Sequence, residues 1–156
     1  MTQRKLKKLL IAYGSFVRGL NFLAPAVDLL IRLYVANVFW KSGLTKIASW
    51  QSTVALFKYE YSVPWLPPEV AAVLATSIEL GMPVLLVLGL AGRVAALVLF
   101  LFNIMAVVSY PELTDLARQH HYYWGMLLAF LLVHGCGKLA ADYFLNRKLP
   151  LSFPAA

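Results

Sequence analysis

Four long apolar runs dominate this chain and limit what it can fold into. They cover residues 24–43, 67–90, 93–110 and 121–144, each near the ~20 residues that a helix needs to cross about 30 Å of hydrocarbon. Only 13% of the 156 residues are charged, whereas a soluble domain has roughly a quarter. A chain this short has too little interior to bury so much apolar surface. The sequence therefore predicts an all-α bundle of four transmembrane helices.

The residues before the first run combine apolar and basic side chains. Apolar residues recur at helical spacing from Leu6 to Leu20, with basic residues between them, which is typical of a helix that lies on a membrane surface. Arg18 and Asn21 interrupt the apolar stretch, and no compact signal-peptide core with a cleavage site follows. A solvated tail is the alternative. We expect three parts: an N-terminal amphipathic interfacial helix over residues 1–23, a four-helix membrane domain over 24–148, and a tail over 149–156.

The distribution of Lys and Arg favours one orientation. Nine of them flank the side shared by the N-terminal segment, the turn before Arg93 and the C-terminal end, against four on the other side. Because positively charged flanks stay in the cytoplasm, both termini are expected there. The net charge of +7 is then explained by topology and anionic lipid, and nucleic acid is not an expected partner. The connection over residues 44–66 is expected to hold a short helix near residues 49–59.

Each predicted span carries one polar residue at a similar depth. Counted from the cytoplasmic end, Arg32, Glu79, Asn103 and His134 lie about 12–16 Å into the membrane. Ionisable side chains at this depth usually face the interior of a bundle. We predict that the four converge in one cluster, where Glu79 neutralises Arg32 and the other two complete hydrogen bonds or contact a ligand. The alternative is a polar pin that only fixes the register of the helices.

Metal ligands are sparse in this sequence. The adjacent His120 and His121 point in different directions on a helix, and His134 and Cys136 are also badly spaced for a shared ion. No metal site is expected. With Cys136 as the only cysteine, an intramolecular disulfide is excluded. Phosphate-binding loops, dinucleotide fingerprints, zinc-protease motifs and nucleophile elbows are absent from the sequence, which argues against the chemistry of soluble enzymes.

Three stretches of the chain resemble the DoxX family of small bacterial membrane proteins: residues 33–46 (LYVANVFWKSGLTK), 77–93 (SIELGMPVLLVLGLAGR) and 134–142 (HGCGKLAAD). Their order and spacing carry the resemblance. The residues that match the family pattern are Arg32, Gly43, Lys46, Glu79, Leu80, Gly89, Arg93, Gly135 and Gly137. The resemblance implies a four-helix bundle in a bacterial inner membrane.

The resemblance also implies a link to redox physiology. Relatives are similar to the quinone-reducing subunit of archaeal thiosulfate oxidation, and others accompany thiol or oxidative-stress proteins. Because this chain lacks a cysteine pair, thiol–disulfide exchange within it is not expected.

The leading hypothesis is a redox-linked membrane subunit with a quinone-type pocket, and whether it is itself an oxidoreductase is left open. His134 or Asn103 would bond a quinone oxygen while Glu79 relays protons. The candidate residues are the catalytic Glu79 and His134 and the cofactor-binding Arg32, Asn103, Tyr34 and Trp40. Two alternatives are a non-catalytic scaffold that anchors a redox or metal-handling complex, and a transporter of small solutes or metals. The expected partners are membrane lipids and other membrane, periplasmic or cytoplasmic redox proteins, with a homo-oligomer left open.

Overall fold

A computed structural model describes residues 3–148, and all regular secondary structure within that range is α-helical. The helices are α1 (Gln3–Ala48), α2 (Trp50–Tyr59), α3 (Pro68–Leu88), α4 (Gly92–Ser109), α5 (Asp115–His134) and α6 (Ala141–Lys148). Helices α1, α3 and α4 are long and apolar enough to cross a membrane. The 21 residues of α3 extend for about 31 Å, which matches the hydrocarbon thickness. The predicted all-α class and membrane character are confirmed.

Helices α1, α3, α4 and α5 pack around one core as a closed up-and-down bundle. Helix α1 packs on α3 and α5, and α4 packs on the same two helices from the opposite side. The core contains fully buried aliphatic side chains from all four: Val35, Leu86, Leu99, Leu128 and Leu131. Phe39 of α1 adds edge-on ring contacts to Phe102 of α4 and Trp124 of α5. Each helix therefore buries one apolar stripe, as bundles require.

The two ends of the bundle differ in their connections. One end, which we call the turn end, holds residues 89–92, which join α3 to α4, and residues 135–140, which follow α5. There the Asp142 carboxylate accepts hydrogen bonds from the backbone N–H groups of Ala91 and Gly92, each at 2.9 Å. Because Ala91 has no side-chain oxygen to cap α4, Asp142 satisfies these N–H groups from a distant part of the chain. The loop end holds residues 49–67 and 110–114.

The helix expected near residues 49–59 is confirmed as α2, at the loop end. The Thr53 hydroxyl donates to the Lys46 carbonyl at 2.9 Å, so the start of α2 is tied to the last turn of α1. Phe57 is buried against the alanine-rich first half of α3. These contacts lay α2 across the neighbouring ends of α1 and α3.

Helix α1 continues without interruption from Gln3 to Ala48 and passes through Pro25. The structure shows no break at the predicted boundary between residues 23 and 24, because a proline removes only one helical hydrogen bond and the residues around it favour helix. Asp28 is the first buried residue of α1. Residues 3–27 therefore extend beyond the turn end of the bundle, for about 37 Å. The predicted tail over residues 149–156 lies outside the described residues.

The fourth apolar run does not form one helix to residue 144, and this prediction of its end was wrong. Helix α5 ends at His134, and the backbone then turns at Gly135 (φ 94°) and Gly137 (φ 74°). Glycine adopts these left-handed conformations without the steric penalty of other residues. The chain resumes as the separate short helix α6.

Candidate functional site

The four polar side chains expected to converge lie in separate places. Arg32 is at the turn end, Glu79 faces the last two turns of α1, Asn103 faces α5, and His134 is the last residue of α5. The predicted Arg32–Glu79 ion pair is therefore wrong. Helices α1 and α3 are antiparallel, and their register places Arg32 beside Val87, eight residues or about 12 Å from Glu79 along α3.

Glu79 instead forms a buried ion pair with Lys46. Its Oε1 accepts hydrogen bonds from Lys46 Nζ (2.8 Å) and Ser42 Oγ (3.1 Å), and its Oε2 lies 2.7 Å from the same Nζ. Lys46 Nζ also donates to Ser42 Oγ at 3.0 Å. The Glu79 side chain is 5% exposed and that of Lys46 is 16% exposed. We call Ser42, Lys46 and Glu79 the carboxylate site.

Local sequence explains how the carboxylate site forms. Ser42 and Lys46 are four residues apart and so share one face of α1. Gly43 lets α3 approach, because a Cβ there would lie 2.7 Å from Leu80 Cδ2 and 3.1 Å from Glu79 Cβ. The short distance between the two backbones allows the Lys46 side chain to reach the middle of α3.

Two oxygens of Glu79 have few hydrogen-bond partners. In the described part of the chain, Oε2 has no hydrogen-bond donor beyond the Lys46 ammonium. Pro83, one turn later in α3, has no N–H and so leaves the backbone carbonyl of Glu79 without its helical partner. Buried oxygens of this kind are rare because each one costs free energy.

Two tyrosines and an exposed glutamate lie together at the loop end, and the charge of Glu79 contributes to the raised pKa of the Tyr61 phenol. The Tyr61 ring packs on that of Tyr110 with centroids 5.1 Å apart, and the Tyr110 hydroxyl donates to the exposed Glu60 Oε2 at 3.2 Å. We call Tyr61, Tyr110 and Glu60 the tyrosine path.

Both phenols of the tyrosine path are held in the neutral form. Burial raises the pKa of Tyr61 above its usual range, and electrostatic coupling to Tyr110, Glu79 and Glu60 raises it further. The hydrogen bond to Glu60 raises the pKa of Tyr110. A neutral phenol can both donate and accept a hydrogen bond, so the path keeps this capacity at physiological pH.

Asn103 binds His121 and none of the other predicted residues. Its Nδ2 donates to the His121 carbonyl at 2.9 Å and its Oδ1 lies 2.8 Å from His121 Nδ1. Gly125, one turn along α5, leaves room for the amide, because a Cβ there would lie 3.3 Å from Nδ2. Both ends of the amide are used between α4 and α5, so Asn103 fits the alternative of a polar pin.

Arg32 ties the end of α3 to the segment after α5. It is fully buried and donates to the carbonyl of Val87 at 3.3 Å and to that of Leu139 at 2.9 Å. A cation near the last carbonyls of a helix also interacts favourably with the helix dipole. A Cβ at Gly89 would lie 2.5 Å from both Arg32 Nη1 and the Cβ of Ala140, so glycine gives the guanidinium its space.

His134 and Cys136 belong to the packing of the turn end. The His134 side chain is 52% exposed, and its Nε2 lies 3.7 Å from Asp28 Oδ1. Its ring stacks on Phe130, so it is far from the carboxylate site. Cys136 is buried, and burial raises the pKa of its thiol. Within residues 3–148, no three His, Cys, Asp or Glu side chains lie close enough to hold a metal ion.

The two aromatic residues predicted to line a cofactor pocket lie on the outside of the bundle. Tyr34 is 55% exposed on the outer face of α1. Trp40 borders a crevice of about 290 Å³ between α1 and α3, together with Leu33, Asn37, Pro83 and Val84. Glu79 is not among the residues that line the crevice.

The DoxX family model matches residues 27–111, which is more than half of the 156 residues. The chain belongs to the DoxX family. No curated protein matches the chain, and no solved structure matches it. The DoxX match covers α1 from residue 27 through the end of α4, and therefore the carboxylate site and the 89–92 turn; the resembling stretch at residues 134–142 lies beyond it.

The DoxX motif residues contact one another in pairs between α1 and α3. Gly43 packs on Leu80, Lys46 binds Glu79, and Arg32 lies against Gly89. The sequence did not predict Ser42 as a hydrogen-bond partner of Glu79, or His121 as the partner of Asn103. The four-residue spacing of Ser42 and Lys46 was a usable signal, but the register between α1 and α3 that brings them to Glu79 is not readable from one sequence.

Proposed function

We propose that this DoxX-family protein is a redox-linked membrane subunit whose own contribution is proton exchange at Glu79. The observation that carries the proposal is a buried carboxylate near the middle of α3 that is held in an ion pair with Lys46. It lies about 14–17 Å from either end of the helix. An ionisable group at this depth is costly to maintain, and a functional role is its default interpretation.

The ion pair gives proton exchange a structural consequence. While Glu79 is ionised, Lys46 balances its charge within the bundle. A proton on Glu79 would remove that attraction, and Lys46, two residues from the end of α1, could extend its flexible stem to the loop end. Protonation of Glu79 and movement of Lys46 are therefore coupled in this proposal.

The tyrosine path provides the proton route. Glu60 is exposed at the loop end and accepts the hydrogen bond of Tyr110, whose ring packs on that of Tyr61; the step between the Tyr61 hydroxyl and Glu79 would pass through water. Phenols held neutral can pass a proton by donating one hydrogen bond while accepting another. Proton exchange would thus take place on the loop-end side of the membrane.

We further propose that α5 is a fourth span and that both termini lie on the cytoplasmic face of a bacterial inner membrane. Helix α5 has 20 residues and forms one side of the bundle. The nine-to-four distribution of Lys and Arg supports this orientation. The loop end, with Glu60, would then face the periplasm.

A quinone-type carrier is the proposed redox partner; it would supply two-electron chemistry that takes up or releases protons. The residues predicted for its ring do not fit that role. Asn103 is engaged by His121, Arg32 by two carbonyls, and Tyr34 and Trp40 lie outside the bundle. We therefore assign none of them to a quinone, and Glu79 is the residue expected to respond to its redox state.

Redox-induced infrared difference spectroscopy tests the proposal. The protein would be reconstituted in lipid nanodiscs with and without a long-chain quinone, and the quinone pool would be reduced chemically. We expect quinone-dependent carboxyl bands in the parent protein, their loss in Glu79→Gln, and their retention in Glu69→Gln. Glu69 is an exposed carboxylate in the first turn of the same helix and serves as the matched control.

A second variant keeps the test decisive if Glu79→Gln folds poorly. Lys46→Met combined with Glu79→Gln removes both charges together, which is far less damaging than leaving one of them alone. Carboxyl bands that persist in this variant, or that do not respond to the quinone in the parent protein, would contradict the proposal. That result would favour the non-catalytic scaffold.

A further inference from the structure

The outer face of α1 carries a second apolar stripe that the bundle leaves uncovered. Its members alternate spacings of three and four residues along the helix. They are Leu23, Ala26, Leu30, Leu33, Asn37, Trp40, Leu44 and Ile47, and every one of them is exposed. We call this stripe the α1 seam. A repeat of 3.5 residues is the pattern of helices that pack along their length on another helix.

Asn37 is the one polar residue of the α1 seam, and it lies beside Pro83 and Val84 of α3, within the length of the bundle. It is five residues, or about 8 Å, closer to the loop end than Arg32. Its amide is exposed and makes no hydrogen bond among the described residues. Lipid tails cannot supply one, so an amide that faces them is costly.

The crevice between α1 and α3 continues the α1 seam. Three seam residues, Leu33, Asn37 and Trp40, form its α1 wall, and Val84 and Leu88 of α3 form the other wall. Both α3 residues are themselves exposed, at 43% and 56%. A helix laid on the seam would thus fill the crevice of about 290 Å³ and also bury part of α3.

We propose that a second copy of this chain packs on the α1 seam to form a parallel homodimer in which Asn37 faces the partner's Asn37. Copies of one membrane protein insert with one orientation, so a seam shared by two copies must pair in parallel about a two-fold axis. An amide carries both donors and an acceptor, which makes Asn37 complementary to itself. In two-stranded coiled coils, an Asn at this kind of position specifies partner and register.

Within the α1 seam, charge does not oppose this pairing. Lys41 is the one charged side chain beside the α1 seam between residues 22 and 48, and in a parallel pair it faces the position of Ala36 and not another lysine. Pro25 lies off the seam. The basic residues from Arg4 to Arg18 lie before the seam, and their mutual repulsion in a dimer would be screened by salt and anionic lipid.

Other occupants match fewer of these features. A lipid chain could fill the crevice but would leave the Asn37 amide without a partner. A quinone ring could bond the amide but would cover little of a seam that extends for about 36 Å. A second α1 satisfies the amide, the crevice and the periodicity together.

Cysteine cross-linking of the full chain in lipid vesicles tests the dimer. The parent protein has only the buried Cys136 and should not cross-link. Ala26→Cys and Leu44→Cys lie on the seam and should give disulfide-linked dimers under mild oxidation. Ala24→Cys and Thr45→Cys are also exposed but lie off the seam, and they should stay monomeric. Ala24 and Ala26 are a matched pair of the same residue type two positions apart.

The second measurement is the concentration dependence of energy transfer between labelled copies diluted in lipid. An interhelical hydrogen bond in a membrane changes an association constant roughly 3- to 30-fold, so Asn37→Leu should weaken association by that factor. Glu79→Gln should leave it unchanged, which separates this proposal from proton exchange. Equal cross-linking at all four positions, or none at any, would overturn the dimer, as would an unchanged association constant in Asn37→Leu.

Discussion

The Lys46–Glu79 ion pair makes a quantitative prediction through a double-mutant cycle. Removal of one partner from a buried pair leaves the other charge uncompensated, at a cost of about 3–5 kcal/mol of unfolding free energy. Lys46→Met should cost about that much, because Glu79 is 5% exposed near the middle of α3, and its carboxylate cannot reach water while the helix stays packed.

Glu79→Gln should cost less than Lys46→Met. Lys46 is 16% exposed and lies two residues from the end of α1, so its ammonium can move toward the loop end when the carboxylate is gone. We expect a loss of roughly 1–3 kcal/mol, since the oxygen of the new side-chain amide would still accept the Ser42 hydrogen bond. The double variant should lie within about 1–2 kcal/mol of the parent, because apolar or neutral replacements of a buried pair are often close to neutral.

The cycle can be measured by reversible unfolding in mixed micelles with increasing denaturing detergent, monitored by the fluorescence of the four tryptophans. Glu69→Gln and Lys58→Met change exposed residues of the same types and should stay within about 0.5 kcal/mol of the parent. If the losses of the two single variants simply add in the double variant, the side chains are not coupled and the reasoning fails.

Three further predictions concern the turn end. Gly92→Ala should lower the free energy of unfolding by about 1–3 kcal/mol, because its Cβ would collide with Cys136 Sγ; Gly14→Ala, in open space, should be neutral or stabilising in the same detergent titration. Asp142→Asn should raise amide hydrogen exchange in the first turn of α4, since an amide can replace only one of the two accepting oxygens. Asp115→Asn, in the first turn of α5, should leave the exchange of that turn of α5 unchanged, because the Thr114 hydroxyl caps α5. Burial raises the pKa of Cys136, so maleimide should label it at neutral pH only after unfolding; rapid labelling of the folded protein would contradict this.

Hydropathy and glycine positions made much of the fold predictable. The apolar runs at residues 67–90 and 93–110 became α3 and α4 nearly to the residue, because Pro68, Gly89 and Pro111 limit them in the chain itself. The end of the fourth run was missed. Residues 135–144 mix apolar residues with Lys138, Asp142 and two glycines, and the left-handed backbone at Gly135 and Gly137 shows where the helix stops.

The carboxylate site was predictable in part. Depth along a span follows from counting residues, and it correctly placed Glu79 far from both helix ends. Counting does not give the rotation of each helix or its register against its neighbours, and these decide which side chains meet. Counting residues gives Arg32 and Glu79 similar depths. The register of α1 against α3 nevertheless brings Lys46 into contact with Glu79, and Arg32 bonds to the carbonyls of Val87 and Leu139.

Chemistry separates the three buried residues that were predicted to converge from α1, α3 and α4, namely Arg32, Glu79 and Asn103. Arg32 stays protonated at any physiological pH and Asn103 has no proton to exchange, so both can hold helices together but neither can change its charge. Glu79 alone among the three can gain or lose a proton, and it alone has a partner, Lys46, that can leave when it does. A residue that only holds helices together needs no change of charge, and Arg32 and Asn103 already serve this purpose. The Lys46–Glu79 pair can change its charge, which helix packing by itself does not require. Glu79 is therefore the position where function is best sought.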